Sequence, residues 1–186
     1  MKTLGAKGGG ALQSEHLRYR RPPVGSTTLH CVLLDMSASM LKGQKLALAK
    51  GCLLALTEQF YRRRERLAVI GFAGPKARLL LAPCKVAAFN ADWIAPLQGG
   101  GATPVQSAVA LVEALLRQQK AAQPGLLAAV WLLTDGRFDP LPARPQGADN
   151  CHIVDFEQEA LALQRCVRLA RDWGADCVAA ASAVAF

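Results

Sequence analysis

A chain of 186 residues, 52% hydrophobic and 19% charged, has the size and polarity of one folded domain with a substantial core, which excludes a disordered chain or a fibre. The formal net charge is +8, and residues 1–25 hold Lys2, Lys7, Arg18, Arg20 and Arg21 against Glu15 alone, beside Gly5, Gly8, Gly9 and Gly10. That composition reads as a flexible basic arm over 1–25, open to solvent or to an acidic partner, ahead of a single domain over 26–186.

The first element, "TLHCVLLD" (28–35), is a short, nearly continuous apolar run, as expected of a strand covered on both faces of a parallel sheet. Residues 40–62 follow with apolar positions at Leu46, Leu48, Ala49, Cys52, Leu53, Leu56, Phe60 and Tyr61, which approximates a 3.6-residue repeat and predicts a long amphipathic helix closing on "RRRER". "RLAVIGFAG" is a second strand, and "KARLLLAP" follows Gly74 and Pro75 so closely that the third must return antiparallel, at a sheet edge. A short helix is expected around Val86–Ile94, then the loop "QGGGATP" and a helix from Pro104 to about Gln119 with Thr103 as its N-cap. "LLAAVWLLTDG" is a fourth strand, "RFDPLPARPQGADN" a proline-rich loop and "CHIVDF" a fifth strand. A helix over Gln158–Trp173 and a last strand in "ADCVAAAS" complete the series. Strands alternating with helices, plus one hairpin, predict an α/β doubly wound, mostly parallel open sheet of about six strands, with one antiparallel edge strand and helices on both faces.

No apolar run reaches the roughly 18–20 residues needed to span a bilayer, and "MKTLGAKGGG" lacks the apolar core of a secretory signal, so a cytoplasmic protein without membrane contact is expected. The six cysteines contain no C-x-x-C pair and the three histidines no H-x-x-x-H spacing, which argues against a zinc ribbon or redox motif and for structural roles. Aromatic residues interleave with basic ones only at Tyr19 and in "FYRRRER", which does not support a stacking platform for nucleic acid.

In such sheets, sites form in the crevice at the carboxyl ends of the parallel strands. Three loops reach it here: "DMSAS" with Asp35, Ser37 and Ser39, "GGGATP" with Thr103, and "TDGR" with Asp135. In extended chain every second side chain points the same way, so Asp35, Ser37 and Ser39 share one direction while Met36 turns inward. An oxygen-only donor set suits a small hard cation, Mg²⁺ or another divalent ion such as Mn²⁺. With few direct ligands, such an ion keeps a position for a carboxylate from another protein.

"DMSASM", "GGATP" and "LLTDGR" resemble, in order, the three parts of the metal-ion-dependent adhesion site of von Willebrand factor A (VWA) domains, and the likeness covers residues 29–182. More narrowly, "LRYRR", "AKGCLLALTEQFYRRRERLAVIGFAG", "ARLLLAP", "GGGATP", "LLTDGR" and "HIVDFE" are similar to the C-terminal VWA part of the D subunit of magnesium chelatases and of related cobalt chelatases. That resemblance implies a non-catalytic adaptor in a machine inserting magnesium or cobalt into a tetrapyrrole. It also implies as partners a hexameric AAA+ ATPase subunit and a large catalytic subunit, and as ion ligands Asp35, Ser37, Ser39, Thr103 and Asp135. Two departures stand out. No G-x-x-x-x-G-K-[ST] loop occurs, so ATP hydrolysis is expected in another chain. Ala38 stands where the family usually has glycine, and its Cβ would disfavour a positive φ.

Other readings use the same residues. Ser37 or Ser39 could cap the following helix, Thr103 the helix after it, and Asp135-Gly136 could be a plain turn. An aspartyl-phosphate phosphatase or receiver would use Asp35 as nucleophile, but Ser37 replaces the second carboxylate of the phosphatase motif. A serine hydrolase would need a G-x-S-x-G elbow, which is missing, and His152 falls at the wrong strand end. A VWA scaffold for a MoxR-type AAA+ ATPase shares fold and ion and differs in its partner. Asp155 and Glu157 end the fifth strand at the same edge, suited to supporting or partner contacts.

Overall fold

The computed structural model describes residues 27–86, 94, 97–159 and 162–183. Thr28–Asp35 forms β1, and every residue after Thr28 is buried, which explains why this stretch carries no polar alternation. Around it run β2 (Arg66–Ala73), β3 (Lys76–Lys85), β4 (Leu127–Thr134), β5 (Asn150–Asp155) and β6 (Asp176–Ala179), in the spatial order β3-β2-β1-β4-β5-β6. All neighbours are parallel except β2 and β3, which pair antiparallel at the edge. The mixed, mostly parallel sheet read from the sequence is therefore the one formed.

Successive β1 side chains supply two separate cores. Leu29, Cys31 and Leu33 pack toward α2 (Val105–Ala122) and α3 (Arg165–Trp173), against Val112, Leu116 and Trp173. Val32 and Leu34 pack toward α1 (Lys45–Arg62), against Leu53, Leu56 and Phe60. The chain leaves β1 toward β2 on one side and later returns as β4 on the other. The carboxyl ends of β1 and β4 therefore flank the point where strand order reverses, the place such sheets keep for a ligand.

Several boundaries differ from expectation. The helix read over 40–62 is broken: Ala38–Gln44 makes a 3-10 segment interrupted by extended Lys42 and left-handed Gly43 (φ 60°), and α1 begins only at Lys45. The helix read over 158–173 begins at Arg165, because the Glu157 carboxylate accepts the backbone N–H groups of Leu163 (2.6 Å) and Gln164 (3.1 Å) and holds these two residues out of the helix. The alanines after Ala179 enter a short helix, α4 (Ala180–Ala183), in place of a longer strand. The short helix expected around Val86–Ile94 and the basic arm over 1–25 lie outside the described residues, Val86 and Ile94 themselves excepted. No helix among the described residues is long and apolar enough to cross a membrane.

All six cysteines are free: Cys31, Cys52, Cys151 and Cys166 are buried, Cys177 is half-buried and Cys84 is exposed. Burial pushes the Cys31 thiol up to about 12, which keeps it inert.

His30 is stacked on Phe60 with ring centres 3.7 Å apart; its Nδ1 accepts the Trp131 indole N–H (3.1 Å) and its Nε2 meets Glu65 (2.9 Å). A neutral ring protonated on Nε2 satisfies both contacts; a second proton would oppose the indole donor. Burial, against the partial support of Glu65, lowers the His30 pKa. A lowered folded-state value means the unfolded chain takes the proton first, so the His30 contribution is complete above about 6.5 and is lost as pH falls toward the folded value. Urea denaturation at pH 5 and 7.5 is expected to show an acid loss that His30→Phe reduces.

Candidate functional site

Asp35 is the last residue of β1 and fully buried. Its Oδ1 accepts the backbone N–H of Ser37 (2.9 Å), which folds the chain back into an Asx-type turn, and its Oδ2 accepts the hydroxyl of Thr134 (2.5 Å), the last residue of β4. Thr134 in turn accepts the N–H of Gly136 (3.1 Å), so one hydroxyl ties the ends of the two central strands together. Met36 turns into the core at 1% exposure, as the alternation required.

From that turn the two serines bridge to the other loop. Ser39 donates to Asp135 Oδ1 (3.0 Å), and the serine hydroxyls lie 3.1 Å apart. With its one proton committed to Asp135, Ser39 receives the bond from Ser37. Asp35, Ser37, Ser39 and Asp135 thus form one hydrogen-bonded chain across the switch point, although residues 37 and 135 are nearly a hundred positions apart. Neither serine caps a helix through its side chain, and Thr103 does not cap α2, whose N-cap is Pro104. The capping roles open to these residues in the sequence are not taken up. Ala38 keeps helical backbone angles, so its Cβ carries no penalty.

Thr103 arrives by its backbone. Gly100 N–H donates to the Met36 carbonyl (2.7 Å), Ala38 N–H to Gly101 (3.0 Å), and Gly74 N–H to Ala102 (3.0 Å). A Cβ on Gly99 would stand 2.6 Å from the Met36 carbonyl oxygen, so only glycine lets this loop press so closely on the end of β1. The loop is fixed beside the cluster, yet among the described residues the Thr103 hydroxyl bonds to none of the other four side chains.

Three residues that sequence reading did not assign complete the site. Lys45, 2% exposed at the first turn of α1, donates to Asp135 Oδ2 (2.9 Å) and to Glu159 (2.6 Å), and Arg137 also meets Glu159 (3.1 Å). Burial alone would lower the Lys45 pKa, but the hydrogen bonds to Glu159 and Asp135 raise it overall, so it stays charged. Lys45 in return lowers Glu159 to about 2. The signal for Lys45 was its helical position: residues 45, 49, 52 and 53 share the stripe that α1 buries. Asp155 and Glu157 serve loop structure, through Glu157 N–H to Asp155 (2.8 Å) and the Glu157 bonds described above.

Burial raises the Asp35 pKa; Thr134 and Ser37 oppose that, and the neighbouring Asp135 charge adds to it. A buried carboxylate disfavoured in its charged form, as Asp35 is, is one that an added cation relieves. Two carboxylates and two hydroxyls, with no nitrogen or sulfur, fit a hard divalent ion. Among the described residues no group of three or more His, Cys, Asp or Glu is placed to hold a metal, so an ion here would depend on the hydroxyls and on water. Because Lys45 occupies Oδ2 of Asp135, Asp135 suits contact through water.

The family model for the von Willebrand factor type A domain matches residues 31–137. An uncharacterised protein of Mycobacterium tuberculosis is 31% identical over 157 residues, 78% of this chain and 25% of that protein. The magnesium-chelatase 60 kDa subunit of Cereibacter sphaeroides is 37% identical over 93 residues, 50% of this chain and 16% of the subunit. The chain thus spans a quarter or less of these relatives. An aerotolerance-related membrane protein from Bacteroides fragilis, 16% identical, superposes with a TM-score of 0.60 over 86% of this chain and 96% of that one, which supports the fold alone.

Proposed function

Because the chain belongs to the von Willebrand factor type A domain family, with magnesium-chelatase subunits among its distant relatives, we propose that it works as a non-catalytic adaptor of a metal chelatase complex. Its partners in this reading are an AAA+ ATPase subunit and a large catalytic subunit, and the insertion reaction places magnesium in protoporphyrin or cobalt in a corrin precursor. The observation that carries the proposal is the unbroken hydrogen-bonded chain from Asp35 through Ser37 and Ser39 to Asp135.

Asp35, Ser37, Ser39 and Thr103, with Asp135 directly or through water, would hold Mg²⁺ or Mn²⁺, and the bound ion would supply a coordination position for a partner's carboxylate. Thr134 fixes the rotamer of Asp35, Ser39 fixes that of Asp135, and Lys45 balances the charge of Asp135, so the donors are preorganised on rigid strand ends. The site couples a divalent cation to protein contact, and among the described residues no histidine joins its hydrogen-bonded chain as a base.

Capture of the purified chelatase ATPase and large subunits by this chain is expected in MgCl₂ and not in EDTA. Equal capture in both conditions would overturn the ion-dependent reading. Capture of a MoxR-type ATPase in place of the chelatase subunits would overturn the chelatase assignment and leave the ion site standing.

A further inference from the structure

Beside the ion site lies a cleft of about 350 Å³ lined by Met36, Gly74, Lys76, Arg78, Gly99 and Gly100 among others. It begins at Met36, the residue between Asp35 and Ser37, and one wall is the glycine loop held to Met36 by the Gly100 N–H. The opposite wall is cationic: among the described residues, Lys76 and Arg78 are exposed and pair with no acidic side chain, and no carboxylate lines the cleft. The two cations lie two residues apart on β3, so they share one face with a spacing of roughly 6.5–7 Å along the strand. The residue between them, Ala77, is buried toward α2 and its N–H is taken by Ser107 (3.1 Å). β3 is also the edge of the sheet, with a neighbour on one side only.

A ladder of cations at strand spacing, on an edge strand and in a cleft that reaches Met36 between two of the ion-site residues, matches an extended chain carrying carboxylates at alternate positions. We propose that this cleft docks an extended acidic segment of the partner protein, which sets two further carboxylates on Lys76 and Arg78 alongside the one at the ion. The proposal rests on the ion-site reading above for that first carboxylate and adds the sequence character of the partner: acidic residues at alternate positions, not a lone Glu or Asp. Hydrogen-bonded backbone along one wall and exposed cations along the other give the selectivity, because only a chain with negative side chains at that spacing meets both.

The test uses the full chain and a fluorescein-labelled twelve-residue peptide alternating glutamate with threonine, with its glutamine counterpart as control, read by anisotropy at low salt in MgCl₂. The glutamate peptide is expected to bind and the glutamine peptide not. Lys76→Ala with Arg78→Ala is expected to weaken binding about tenfold or more and to flatten its salt dependence, with Mg²⁺ affinity by calorimetry unchanged. Unchanged peptide affinity in that double variant would overturn the proposal, as would equal affinity of the wild type for a single-stranded oligothymidine of similar charge. A wild-type chain that binds no Mg²⁺ removes the ion reading. In that case, peptide binding in EDTA that still depends on Lys76 and Arg78 would support the cleft on its own, and no such binding would overturn the cleft as well.

Discussion

Replacing Lys45 with methionine is expected to lower the melting temperature of the metal-free protein by about 10 °C and to make it respond to Mg²⁺ far more than the wild type does. Lys45 is 2% exposed and holds Asp135 at 2.9 Å and Glu159 at 2.6 Å. Removing one member of a buried pair leaves the other charge without compensation, at a cost of about 3–5 kcal/mol, and in a domain of this size each kcal/mol moves the melting point by roughly 2–4 °C. Here Asp135 keeps the Ser39 hydroxyl (3.0 Å) and the Arg137 guanidinium (3.9 Å) but still faces the buried Asp35, so the cost falls at the lower end of that range. A divalent ion supplies the missing positive charge, so excess MgCl₂ should restore most of the loss. Calorimetry with and without EDTA reads both effects. The double variant Lys45→Met with Asp135→Asn, which removes both charges, should recover part of the stability, as coupled partners do. A Lys45→Met protein that melts like the wild type in EDTA would mean that the ammonium is not what holds Asp135.

The strands themselves were legible because burial writes directly onto composition. β1, covered by α1 on one face and α2 on the other, has no position where water would select a polar residue, so it reads as an uninterrupted apolar run. The edge position of β3 followed from arithmetic, since the two residues Gly74 and Pro75 cannot carry a crossover. Helix starts were less legible. Periodicity continues through Met40 and Leu46, which are both buried, and gives no hint that Lys42 and Gly43 break the helix between them. At the other end, the late start of α3 goes with one carboxylate, Glu157, reaching the backbone N–H groups of Leu163 and Gln164, a contact with no periodic signature.

Half of the site was legible for a similar reason. Asp35 and Asp135 each follow an apolar strand directly, where a charge signals the strand's exit, and the spacing of Asp35, Ser37 and Ser39 marks one shared direction. Thr134 was not distinguishable from a strand threonine, because its role depends on β4 lying beside β1, a fact of topology. Glu159 was hidden further still, since it acts 114 residues away from Lys45 in a stretch read as helix surface. Lys45 could have been found: a lysine on the buried stripe of an amphipathic helix must meet an anion, and the nearest loops supply one.

Replacing Asp35 with alanine is expected to abolish Mg²⁺ binding and Mg²⁺-dependent partner capture while moving the metal-free melting point by only a few degrees. Two opposing costs explain the small change in stability. Alanine orphans the Thr134 hydroxyl and the Ser37 N–H, each worth about 1–3 kcal/mol when left buried and unpaired. It also removes a carboxylate that burial disfavours in its charged form. Because the folded state raises the Asp35 pKa, the fold holds that proton more tightly than the unfolded chain does. The wild-type contribution is therefore full below the ordinary carboxylate range and declines as pH rises through the folded value, a slope that Asp35→Ala should lack in EDTA. Mg²⁺ competes with the same proton, so wild-type affinity should rise with pH over that interval. Even residues that only support a metal's ligands are worth about 10–100-fold in affinity, so loss of the carboxylate itself should cost at least about 100-fold by calorimetry. An Asp35→Ala protein that binds Mg²⁺ as the wild type does would place the ion elsewhere and leave the Asp35–Thr134 bond with a purely structural role: joining β1 to β4 where the sheet reverses.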